Sequence, residues 1–223
     1  MPTSTKVVRK PHEYIEVIFD ICYLIFVFGA MILFLKQQTA TTNLIAMMSG
    51  LLFLGDSFHL IPRVALILTK NERRWERPLQ LGKLVTSITM SVFYVVLLKV
   101  WETLYPTLVL PAWLLYLFYF CLFLRIVFSV YPLKQWQKES EKKYAYLRNI
   151  PFLIMGVIVV YAFIVSSSQY QDSFSLMYIA IILSFSFYLP VAFKADEKPI
   201  LGVLMLPKTM MYIWMIIMAF SLY

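Results

Sequence analysis

The chain has 223 residues, of which 61% are apolar, 17% aromatic and only 14% charged. A soluble domain carries about 25% charged residues, so this composition excludes a water-soluble globular protein and points to a polytopic membrane protein. The net charge of +8 is dispersed over short connectors rather than gathered into one basic stretch, and no nucleic-acid partner is expected.

A hydrocarbon core about 30 Å thick needs about 20 helical residues. Seven apolar stretches reach that length, near 14–35, 43–69, 80–104, 109–131, 147–168, 173–194 and 200–222. The expected fold is all-α, a single seven-helix membrane domain over 1–223 with no room for a soluble one. Basic residues recur in alternate connectors. Lys6, Arg9 and Lys10 precede the first span, and Lys70, Arg73, Arg74 and Arg77 follow the second. Lys134, Lys138, Lys142 and Lys143 follow the fourth, and Lys194 and Lys198 the sixth. The other connectors hold only Lys36 in the first, with no Lys or Arg in 105–112 or 166–175. By the positive-inside rule the N-terminus is cytoplasmic and the C-terminus outside.

The first span has a basic flank, but its apolar run exceeds a signal-peptide core and no clear small-x-small cleavage site follows, so it is read as a mature helix. Its Glu13, Glu16, Asp20 and Tyr23 recur on one helix face entering from the cytoplasm. Cys22 and Cys121 fall within spans and read as small buried hydrophobes, without disulfide or metal-ligand spacing. Trp75, Trp101, Trp113, Trp136, Tyr105, Tyr131 and Tyr144 lie near span ends, as interfacial anchors do. The runs 70–78 (KNERRWERP) and 134–143 (LKQWQKESEK) read as solvated cytoplasmic connectors, broken by Pro78 and Pro132.

The second span carries Gly55–Arg63 (GDSFHLIPR), which puts Asp56, His59 and Arg63 on one face, with Asp56 deepest. Span 3 adds Lys83, Ser87 and Tyr94, span 4 adds Arg125, and span 5 opens with Arg148 and Asn149. Span 6 supplies Ser184 and Tyr188; span 7 supplies Lys208, Thr209 and Tyr212 after Pro207. Nearly all lie in the cytoplasmic half, which predicts a bundle sealed outside with a polar cavity reached from the cytoplasm or inner leaflet. An ion at the bilayer centre costs about 2.5–3.5 kcal/mol, so these groups must pair, face water or do chemistry. Glu16, Asp20 and Asp56 oppose Arg63, Lys83, Arg125, Arg148 and Lys208, with Arg148 near enough to the surface to snorkel. The cationic surplus suits an anionic ligand, a small anion or a lipid headgroup. The structural reading of the same residues is a set of interhelical ion pairs such as Asp56–Lys208 and Asp20–Arg63. Pro62, Pro151, Pro190 and Pro207 lie beside these groups, where freed carbonyls need a neighbour or a cavity.

Ser57–Pro62 (SFHLIP) is echoed by Ser186–Pro190 (SFYLP), and Thr89-Met90 by Thr209-Met210 at matching depth. These echoes suggest a 3+1+3 plan in which spans 5–7 repeat spans 1–3 in parallel. That architecture is similar to SWEET-type and PnuC-type carriers, without the paired prolines of the former or the tryptophan pattern of the latter.

Three chemistries compete for these residues. A binding cavity of carrier or sensor type uses Asp56, His59, Arg63 and Lys208, with Asp20, Lys83, Arg125, Tyr188 and Tyr212 around them. A lipid-modifying hydrolase would use Asp56 to orient His59 as a base. Lys208 is similar to the retinal-binding lysine of rhodopsin-like proteins, whose heliorhodopsin branch shares the N-inside topology, but span 3 lacks a mid-membrane carboxylate. A zinc hydrolase of the alkaline-ceramidase type would need several membrane histidines, and the chain has only His12 and His59. No metal or cofactor is expected, and the partners expected are membrane lipids. The exposed helix faces give no clear small-xxx-small dimer motif.

Gly55–Arg63, Gly82–Met90 (GKLVTSITM), Tyr146–Gly156 (YLRNIPFLIMG) and Met205–Trp214 (MLPKTMMYIW) together resemble a family of small bacterial multi-pass proteins found in Gram-positive genomes. The resemblance runs through most of the chain. It implies a bacterial plasma-membrane location and carries no mechanism.

Overall fold

The computed structural model describes residues 11–131, 141–170, 172–194 and 198–222, and every regular element among them is helical. The helices are α1 (Pro11–Gln37), α2 (Ala40–Thr69), α3 (Glu72–Leu104), α4 (Ala112–Val130), α5 (Glu141–Ser167), α6 (Met177–Lys194) and α7 (Met205–Ala219). Short 3₁₀ segments, Ser173–Leu176 and Pro199–Leu204, lead into α6 and α7. The result is seven spans long and apolar enough to cross a membrane, the all-α fold that hydropathy predicts. Lys6, Arg9, Lys10, Pro132, Lys134, Trp136 and Lys138 lie outside the described residues, as do the side chains of His12, Glu13, Lys142, Lys143 and Tyr144.

One connector differs from expectation. The run 70–78 is not a loop: only Lys70 and Asn71 join the helices, and the rest forms the first turns of α3. Lys70 ends α2 in the left-handed conformation (φ 53°), and the Asn71 side chain accepts from the Arg74 N–H at 3.2 Å. That cap starts the helix six residues before Pro78, whose missing N–H leaves only a carbonyl near the solvated end to satisfy. Pro207 falls in the first turn of α7, where no helical N–H is needed, whereas Pro62, Pro151 and Pro190 interrupt helix interiors.

Each helix neighbours the next from α1 to α7; α3 also meets α5, and α7 closes back onto α1 and α2. Both triplets therefore share the neighbour order that a 3+1+3 plan requires, and superposing α1–α3 on α5–α7 would separate a repeat from a plain up-and-down bundle. Between α2 and α3 a glycine brings backbone against backbone. A Cβ on Gly82 would sit 2.3 Å from the Phe58 carbonyl oxygen and 2.9 Å from the His59 Cα. Gly55 lies as tightly on Thr89, and Thr86 donates to the Gly55 carbonyl at 2.8 Å. Two backbones thus touch, which fixes the Gly55–Arg63 face relative to α3.

The end remote from the basic connectors is closed by local contacts. Tyr105 donates to the Asp172 carboxylate at 3.0–3.1 Å, the Thr107 and Tyr170 hydroxyls lie 2.7 Å apart, and Phe34 stacks on Phe220 at 4.7 Å. Burial, reinforced by the neighbouring Asp172, raises the Tyr105 phenol above its ordinary value. A raised pKa stabilises the fold fully below the ordinary tyrosine value of about 10 and loses that contribution as pH climbs beyond it. Tyr105→Phe should cost about 1–2 kcal/mol at neutral pH. It should also remove part of the alkaline loss of stability, as read by thermal unfolding between pH 8 and 11. Parallel pH curves for the two proteins would contradict this.

Candidate functional site

Below an aromatic layer, in the half of the bundle bearing the basic connectors, lies a cavity of 450 Å³ to which all seven spans contribute. The aromatic layer is built by Tyr94 against Phe152 (5.1 Å) and Phe185 (5.8 Å), and by Phe93 against Tyr212 (6.0 Å). Gly156 admits the Phe185 ring, which a Cβ there would meet at 2.2 Å. All of these rings are buried.

The cavity walls hold Asp20, Asp56, His59, Arg63, Lys83, Arg125, Tyr188, Lys208 and Tyr212, the nine residues singled out from sequence. Glu16 and Arg148 join them, so Arg148 faces the cavity rather than only snorkelling. Three carboxylates and five lysine or arginine side chains therefore surround one space.

On the α1–α2 side, Arg63 Nε makes an ion pair with Glu16. Asp20, one turn deeper on α1, is 4% exposed and its Oδ2 has no hydrogen-bond partner. Asp56 accepts the Tyr23 phenol at 2.6 Å. His59 presents a buried Nδ1 without a partner. The expected pairs Asp56–Lys208 and Asp20–Arg63 are therefore not formed among the described residues. Glu16 lies one turn from Asp20 on the same face of α1 and captures Arg63, while Tyr23 occupies Asp56. Asp56 also does not orient His59, although helix spacing places the two residues on one face.

The opposite side is cationic. Arg125, 2% exposed, donates from Nε to Ser91 Oγ at 2.7 Å and from Nη1 to the Arg148 carbonyl at 3.1 Å. Its guanidinium lies 3.6 Å from the centre of the Phe152 ring, a cation–π contact that helps hold a charge in an apolar layer. Lys208 is buried between the Tyr188 and Tyr212 rings, 5.0 Å from each centroid, and Tyr188 donates to Asn149 Oδ1 at 2.7 Å. Lys83 stands exposed at the rim, and Ser87 bonds Ser129 at 2.8 Å between α3 and α4.

Sequence reasoning missed Thr86, Ser91, Ser129 and Phe152. Ser91 follows Ser87 by four residues and Ser129 follows Arg125 by four, so a same-face extension from each polar residue finds both. Phe152 carries no such signal, because nothing in an aromatic-rich span marks the ring that will sit beneath a cation.

The arrangement supplies many donors and few free acceptors in a low-dielectric space, which suits holding negative charge. Among the described residues no group of three or more His, Cys, Asp and Glu comes together as metal ligands. Compared with protein-family models, curated proteins and solved structures, the chain matches none.

Proposed function

We propose that this seven-span membrane protein binds an anionic ligand in the inner cavity, reached from the cytoplasmic side of a bacterial plasma membrane, and acts as a carrier or sensor. The observation that carries the reading is five cations against three carboxylates around one buried space. The carboxylates relieve that surplus only in part. Glu16 is matched to Arg63 and Asp56 accepts from Tyr23; Asp56 acts on Lys208 through space, without a direct ion pair among the described residues. Buried charge of one sign costs several kcal/mol per ion. A phosphate or carboxylate offsets it through charge-assisted hydrogen bonds worth about 1.5–3 kcal/mol each.

Neither alternative has an observation of its own behind it. Hydrolysis would need a carboxylate on His59, and Asp56 is engaged elsewhere. A retinal site would need an apolar slot at Lys208, which instead faces tyrosines and a charged cavity.

The test is thermal unfolding of the purified protein in ethyl phosphate or choline chloride at equal ionic strength. Ethyl phosphate should raise the melting temperature by several degrees and choline should not, following the ligand-linkage relation. Equal melting temperatures would overturn the reading. Ethyl phosphate uptake into proteoliposomes above the protein-free level distinguishes a carrier from a sensor, and release of product from phospholipid would favour the hydrolase instead.

A further inference from the structure

The cavity charges are sorted by helix. All three carboxylates, Glu16, Asp20 and Asp56, come from α1 and α2, whereas Lys83, Arg125, Arg148 and Lys208 come from α3, α4, α5 and α7. Arg63 is the one cation on the acidic side, and Glu16 holds it. In formal charge the α1–α2 wall therefore stands at −2 and the facing wall at +4. A simple anion complements only the second of these.

Asp20 gives the acidic wall its chemistry. A carboxylate can only accept hydrogen bonds, and this one is 4% exposed with an oxygen that meets no donor. The charged groups that act on it are Glu16 on its own helix and Arg63 and Asp56 on α2. Two of the three share its sign, and the third is already bound. What this wall lacks is a cationic donor, and every cation lining the cavity except Arg63 belongs to the other side.

We propose that the ligand is zwitterionic, with an alkylammonium group donating to Asp20 and a phosphate held by the Arg125–Lys208 wall. The proposal rests on the anion-binding reading and adds a second pole to it. An aminoalkyl phosphate in solution and an ammonium-bearing phospholipid headgroup share this chemistry. Val203 lines the cavity while 63% exposed, and Ile200 beside it is 78% exposed, so one edge of the site borders apolar surface.

Two matched probe pairs test the proposal by calorimetric titration in detergent. One is 2-aminoethyl phosphate against ethyl phosphate; the other is dihexanoyl phosphatidylethanolamine against dihexanoyl phosphatidylethanol. Each pair differs only by the amine. The amine-bearing member of at least one pair should bind about tenfold more tightly, roughly 1.4 kcal/mol. Asp20→Asn should erase that preference. The pair that shows it identifies the source, free phosphate ester or lipid. Equal affinities within both pairs would overturn the zwitterion and leave the anion site standing. Preference that survives in Asp20→Asn would overturn the assignment to Asp20, and failure of all four probes to bind would overturn the anion site as well.

Discussion

Gly82→Ala should destabilise the purified protein by about 3 kcal/mol or more, a large effect for one added methyl group. The new Cβ would stand 2.3 Å from the Phe58 carbonyl oxygen and 2.9 Å from the His59 Cα. Both are backbone atoms of α2, so no side-chain rotation relieves the clash and the helices must part. Parting them stretches the Thr86–Gly55 hydrogen bond and moves Asp56 and His59 away from the facing wall. Gly29→Ala is the internal control, because a Cβ there meets nothing within 4 Å. Alanine also favours a helix over glycine by about 0.5–1 kcal/mol, so that variant should be neutral or slightly stabilised. Thermal unfolding in one detergent reads both changes. Melting temperatures for the two variants within a degree of each other would refute the close α2–α3 approach.

The contrast between these glycines shows where sequence reading stops. Span number is legible because a bilayer enforces both apolarity and length, and the chain must satisfy its backbone within helices. The edges are less so. Charge in 70–78 reads as a loop, yet charged residues are good helix formers and Asn71 caps α3 before it enters the membrane. Membership of the cavity is legible for a similar reason: an ionisable group within an apolar span has few places to go but inward, and Asp56, Arg125 and Lys208 all go there. Partnership is not legible. Glu16 and Asp20 present equivalent carboxylates on one face of α1, and only the relative height of α2 gives Arg63 to Glu16. Likewise the tyrosine that takes Asp56 depends on the rotation of α1, and the role of Gly82 depends on Phe58 being opposite. Hydropathy and helical periodicity fix neither height nor rotation between helices.

Lys208→Met separates a binding site from a structural ion-pair network by the sign of its effect on stability. Methionine keeps most of the length and the apolar character of the lysine stem and removes the ammonium. In a structural network that ammonium would balance Asp56, and its loss would strand a buried carboxylate at a cost of about 3–5 kcal/mol. The geometry argues for the opposite outcome. Asp56 already accepts from Tyr23 at 2.6 Å, and Lys208, although it acts on Asp56 through space, forms no direct ion pair with it among the described residues and lies 5.0 Å from two tyrosine rings. Cation–π contacts return about 0.5–2 kcal/mol each, against several kcal/mol to desolvate the ammonium. The melting temperature of Lys208→Met should therefore hold or rise, while affinity for ethyl phosphate should fall about 100-fold, roughly 2.7 kcal/mol. Lys99→Met is the matching control: its ammonium pairs with Glu102 at 2.6 Å on the far end of α3, and its removal should leave binding unchanged. A Lys208→Met protein that melts much earlier yet still binds ethyl phosphate would show the ammonium to be a structural tie. Intact stability with lost binding would show that a charge is kept buried there for a ligand to meet.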